Sequence, residues 1–90
     1  MEIIYRIHTT QRMFERDVSE IEIREVLENG ETIEDYPKDT PYPSRLMLGW
    51  VGIRPLHVVV ADNFDENEWI VITVYELDLI RWAADYKRRK

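Results

Sequence analysis

The sequence predicts an α+β domain: N-terminal helices, then a four-stranded antiparallel sheet, then a short C-terminal helix. Three observations carry this reading. Ser19 and Glu22 form a capping box ahead of an i, i+3, i+4 apolar stripe. Three β-rich runs joined by short connections follow a proline-dense loop. Leu79, Trp82, Ala83 and Tyr86 then recur at helical spacing near the end of the chain. Ninety residues support one core, so residues 1–90 are expected to form a single domain.

Taken in order, Ile3 to Ile7 alternates weakly, which suits a short strand. Thr9 or Thr10 then caps a helix of about two turns that carries Met13 and Phe14 inward and ends near Asp17. Ser19 opens the second helix, with Val18 and Ile23 as its hydrophobic staple and Ile23, Val26 and Leu27 as its core stripe. Asn29-Gly30 ends it, because Gly30 can take the left-handed conformation that closes a helix. Prolines at 37, 41 and 43 make Pro37 to Pro43 a loop, since they remove backbone donors and fix φ. Thr32 to Tyr36, Arg45 to Val51, Leu56 to Ala61 and Trp69 to Tyr75 read as the four strands, linked in part by Gly52 to Pro55 and Asp62 to Glu68. Asp78 caps the closing helix.

Alternation places Leu46, Leu48, Trp50, Leu56, Val58, Val60, Ile70, Ile72 and Val74 on one face, the expected core. Arg45, Met47, Gly49, His57, Val59, Ala61, Val71, Thr73 and Tyr75 take the other. With the turns centred near 53 and 65–66, His57 falls opposite Gly49 and opposite Thr73 or Tyr75. A histidine, a phenol and a glycine gap would then share the middle of that face.

Composition removes several classes of function. The longest apolar run, Val58-Val59-Val60-Ala61, is far short of the roughly 20 residues that span a bilayer, and the acidic start does not read as a signal peptide. No membrane role is expected. The absence of cysteine excludes disulfides and thiolate zinc sites and fits the cytoplasm. No metal and no cofactor are expected, because the three glycines at 30, 49 and 52 make no phosphate loop and the two histidines fall in no metal motif. Twelve basic residues face eighteen acidic ones, for a net charge of −6; four of the twelve are the terminal Lys87, Arg88, Arg89 and Lys90. A surface this negative repels phosphate backbones unless basic groups gather in one place.

Two clusters have chemistry to offer. His8, Arg12 and Arg16 are spaced by four, one side of a helix, and form either a salt-bridge network with Glu15, Asp17 or Glu20 or an anion site. His57 and Tyr75 share a sheet face and are either structural partners or a base and an acid, their ordinary pKa values lying near 6.5 and 10.

The run from His8 to Ser19 resembles the opening of a family of small bacterial proteins catalogued as domain of unknown function four-two-five-eight. Leu27-Glu28-Asn29-Gly30-Glu31, Tyr36-Pro37-Lys38-Asp39, Leu56-His57-Val58-Val59, Ile72-Thr73-Val74-Tyr75-Glu76 and Arg81-Trp82 follow in that family's order and spacing. Two positions depart from it: Thr9, where a small residue such as alanine is usual, and Asp17, where glycine is common. The resemblance implies a fold similar to the RelE-like and BrnT-like toxins of bacterial toxin–antitoxin pairs, and a toxin role for the family's members, sometimes beside a zinc-finger antitoxin of the MqsA type. The superfamily's usual chemistry is metal-free RNA cleavage, in which a ribose 2′-hydroxyl attacks the adjacent phosphate. On that analogy His57 and Tyr75 would exchange protons and His8, Arg12, Arg16 and Arg81 would hold phosphate.

Two functions therefore compete. One is a toxin-like messenger-RNA endoribonuclease, with RNA as substrate and an antitoxin protein as partner. The other is a non-enzymatic protein–protein interaction domain with a RelE-like fold, with Trp69, Tyr42 and Met47 as contacts and a homodimer among its forms. The sequence leaves open whether the chain is an enzyme.

Overall fold

The computed structural model describes residues 1–77 and Lys87. Seven elements follow one another: β1 (Glu2–Tyr5), α1 (Ile7–Glu15), α2 (Glu20–Asn29), β2 (Glu31–Tyr36), β3 (Ser44–Val51), β4 (Arg54–Asn63) and β5 (Glu68–Glu76). They build a five-stranded mixed sheet of order β1-β5-β4-β3-β2. This corrects the expected four-stranded antiparallel sheet. The meander from β2 to β5 is antiparallel as expected, and β1 adds a fifth strand parallel to β5, pairing Ile3 with Trp69 and Tyr5 with Val71. A parallel pair has no local turn to announce it, because its connection runs through the rest of the fold. The expected C-terminal helix falls on residues 78–86, outside the described residues.

Side-chain register sets the two faces. Gly52, at φ +62°, and Ile53 alone join β3 to β4, with Val51 paired to Arg54. This tight turn sits half a residue earlier than the expected centre, so His57 pairs with Leu48 and Gly49 with Leu56. Leu46 and Leu48 consequently leave the expected core face, while Met47 joins it. A bulge in the β4–β5 ladder between Val59 and Val60 changes parity in β5, so that Val71 and Val74 both point to the helices.

Both helices pack on one face of the sheet. Met13 from α1, and Ile23, Val26 and Leu27 from α2, meet Met47, Leu56, Val58, Val60, Val71 and Val74 there. Full burial of one such side chain contributes about 1.5–3 kcal/mol. The other face holds a smaller cluster, Leu46, Leu48 and Leu77, with Ile33, Val59 and Tyr75 against it. The sheet thus carries buried side chains on both faces, while its edge strand β2 is largely exposed.

The capping box forms as expected: Ser19 N–H donates to Glu22 Oε1 at 2.9 Å and Glu22 N–H to Ser19 Oγ at 3.2 Å. Val18 and Ile23 are both buried in the main cluster. Gly30 ends α2 in extended conformation (φ −77°, ψ −176°), not the left-handed one. A Cβ there would lie 2.5 Å from the Val26 carbonyl oxygen and 2.6 Å from that of Leu48, so close approach selects glycine.

Candidate functional site

The placement of α1 begins with Thr9. Arg6 is the helix N-cap and offers no side-chain cap; Thr9 lies inside the helix, fully buried, and does not cap it. Its hydroxyl donates toward the carbonyls of Val71 (2.9 Å) and Ile72 (2.7 Å) at the bulge of β5. Met13, one turn on, is buried with it. The opposite side of α1 therefore faces solvent: Ile7 is 83% exposed and Phe14 90%. Phe14 was expected to point inward with Met13, but adjacent helical residues stand about 100° apart, and the Thr9 anchor gives the core side to Met13. Ile7, Thr10, Gln11, Phe14 and Glu15 line a shallow depression on this outer surface. Ile7 and Phe14 recur at i, i+7, and that spacing was the sequence signal for a second apolar face.

Beside this surface run the predicted anion-binding residues. His8 and Arg12 are exposed, and Arg16 is half-buried with its Nη1 donating to the Val74 carbonyl at 2.9 Å. Among the described residues, no carboxylate makes an ion pair with His8, Arg12 or Arg16, and Glu15, Asp17 and Glu20 do not close the expected network. Arg81 lies outside the described residues. The other arginines of the sheet are held by carboxylates. Arg45 makes a two-pronged contact with Asp62 (3.0 and 3.1 Å). Arg54 donates to Glu76 (2.8 Å), to Glu22 (3.1 Å) and to the carbonyls of Arg16 and Asp17, tying the α1–α2 corner to β4 and β5. The hydrogen bond to Glu76 raises the Arg54 pKa still further, so its charge is permanent.

His57 and Tyr75 do meet, as a cross-strand pair of β4 and β5. His57 Nδ1 lies 3.1 Å from the Tyr75 hydroxyl, and the rings stand edge to face with centroids 5.3 Å apart. His57 has no exposed surface, whereas Tyr75 is partly exposed. The pair lies on the face away from α1 and α2, since its neighbour Val58 points to the helices and side chains alternate. The gap expected above Gly49 is on the helix side of the sheet and is filled by Val26. The structure thus joins the imidazole to the phenol and sets His8, Arg12 and Arg16 on the helix layer across the sheet.

The contacts expected of a binding domain are placed differently too. Met47 is buried in the core, Trp69 packs against it, and Tyr42 is half-buried in the proline loop. No group of three or more His, Asp or Glu side chains able to hold a metal ion occurs among the described residues. No helix among them is long and apolar enough to cross a membrane.

No curated protein and no solved structure matches this chain. Residues 5–76, from β1 to the end of β5, match a family described as a domain of unknown function, DUF4258, and the chain belongs to that family.

Proposed function

We propose that this protein works as a protein–protein interaction domain and that the outer face of α1 is its docking surface. One observation carries the reading: Ile7 and Phe14, almost fully exposed on a helix whose other side is anchored by Thr9, present apolar area that the fold itself does not use. Large apolar side chains grouped on a rigid element mark contact surfaces. A photo-crosslinking amino acid at position 14, expressed in cells, should join the chain to a polypeptide, and the same group at the exposed Lys38 should not. Equal labelling from both positions would end this reading.

The second reading, a toxin-like endoribonuclease neutralised by an antitoxin, is favoured by the His57–Tyr75 contact. Its requirement is that phosphate reach both that pair and the arginines of α1, which the sheet separates. Controlled expression of wild type and Tyr75→Phe decides it. Growth arrest with cut transcripts, lost in the folded variant, would establish the nuclease; intact RNA leaves the binding role.

A further inference from the structure

We infer that the notch where α2 runs into β2 is a binding site for a basic peptide, taking one lysine or arginine side chain, and that Lys87 of the chain itself is its tethered competitor. The notch uses none of the residues of the outer face of α1. Glu25 and Asn29 of α2, Glu31 at the start of β2, and Gly49 and Trp50 of β3 line a cavity of about 300 Å³. The β2 ladder covers β3 only as far as Leu48, so the strand edge at Gly49 and Trp50 opens into this cavity.

The charges of the notch call for a cation. A helix C-terminus carries partial negative charge, which basic side chains ordinarily complement. The last turn of α2 has no basic residue; Glu25 and Glu28 stand in or beside it, and Glu31 follows directly. Arg24 answers Glu28 at 3.4 Å. Among the described residues, Glu25 makes no ion pair, whereas Glu31 takes its cation from the far end of the chain: Lys87 Nζ lies 2.8 Å from Glu31 Oε1. That ammonium shows which ligand chemistry the notch accepts. The two side chains remain 45% and 54% exposed, and an ion pair so open to water exchanges readily with other cations.

Trp50 adds a second attraction for the same class of ligand. Its indole, half exposed, borders the notch, and an aromatic face draws ammonium and guanidinium groups. Two carboxylates and a side-chain amide supply acceptors for the several N–H donors such a group carries. The cavity lies at the small end of ligand pockets, which suits one side chain. The net charge of −6 draws basic segments toward the molecule, and the notch gives them one place to settle. A tethered Lys87 competes at an effective concentration on the order of millimolar, so a partner peptide enters by outbidding it.

Titration of the full chain with the acetylated tetrapeptide Lys-Arg-Arg-Lys, followed by NMR, tests this. The amide signals of Gly30, Glu31 and Gly49 and the indole N–H of Trp50 should shift and saturate. Lys87→Gln should bind the peptide about threefold more tightly, because the competitor is gone; Lys38→Gln, the same change of charge in the proline loop, should not. In the Lys87→Gln chain, Glu25→Gln and Glu31→Gln should each weaken binding about threefold and together about tenfold. Asp65→Asn removes one negative charge in the β4–β5 turn, at the opposite end of the sheet, and should change it by less than about twofold. A chain that does not bind the peptide, shifts spread over the whole acidic surface, equal effects of Asp65→Asn and Glu31→Gln, or Lys87→Gln behaving like Lys38→Gln would overturn the site.

Discussion

Val26 of α2 sits directly on Gly49 of β3: a Cβ at position 49 would come within 2.7 Å of Val26 Cγ2 and 3.0 Å of Val26 Cα. Helix and sheet touch here at backbone distance, which fixes how deeply α2 seats on the core. Gly49→Ala should destabilise the fold by about 1–3 kcal/mol through overpacking, read as a lower urea midpoint at unchanged slope. A midpoint equal to wild type would mean that α2 is free to shift.

Thr9 holds α1 to the bulge of β5 through a hydroxyl shared between two carbonyls. Thr9→Val keeps the shape and removes the donor, so it should cost about 1–2 kcal/mol in the same measurement. Amide exchange should quicken across α1 before it does across β4. Unchanged exchange in α1 would show that Met13 alone seats the helix.

Asp17 follows α1 with φ +55°, and Val18 N–H donates back to the Met13 carbonyl at 2.9 Å, closing the helix in a left-handed turn. Asp17→Gly should raise the melting temperature, with a gain of up to about 1 kcal/mol, because glycine adopts this conformation without steric cost. A lower melting temperature would assign Asp17 a favourable role beside Arg54 that outweighs its backbone strain.

These positions show how far the sequence could be read. Asp17 stands where the sequence resemblance implies glycine, and its φ of +55° is a conformation that glycine adopts without steric cost. The capping box, the proline loop and the strands β2 to β5 were legible because caps, turns and alternation are local. For His57 the turn centring left Thr73 and Tyr75 as alternative partners, and the structure pairs it with Tyr75. The faces of β3 were not legible, since half a residue in the centring of the Gly52-Ile53 turn inverts the whole strand. A short strand near Ile3 was legible, but its parallel pairing with β5 was not, because Ile3 and Trp69 lie more than sixty residues apart. Phe14 was misplaced because α1 has apolar residues on two sides, and only the Thr9 anchor on β5 decides which one is buried.

Burial first, and then the nearby Glu20 carboxylate, raise the Tyr5 phenol above its ordinary pKa of 10.0, against a smaller lowering by Arg24. Below about pH 10 the phenol is protonated in both folded and unfolded chains, and its contribution to stability is intact. As pH rises further the unfolded chain releases the proton first, so that contribution is lost as the pH passes through the folded-state value. Unfolding free energy measured between about pH 9 and 11 should fall less steeply for Tyr5→Phe than for wild type. Identical slopes would contradict this assignment.

Phe14→Asp, with unfolding and crosslinking measured on the same preparation, decides whether the outer face of α1 serves a partner or the fold. With α1 as a docking face, the urea unfolding free energy of the variant stays within about 0.5 kcal/mol of wild type, and crosslinks from a photoreactive group at position 7 are lost. A strongly destabilised variant, or crosslinks that persist undiminished, would contradict it.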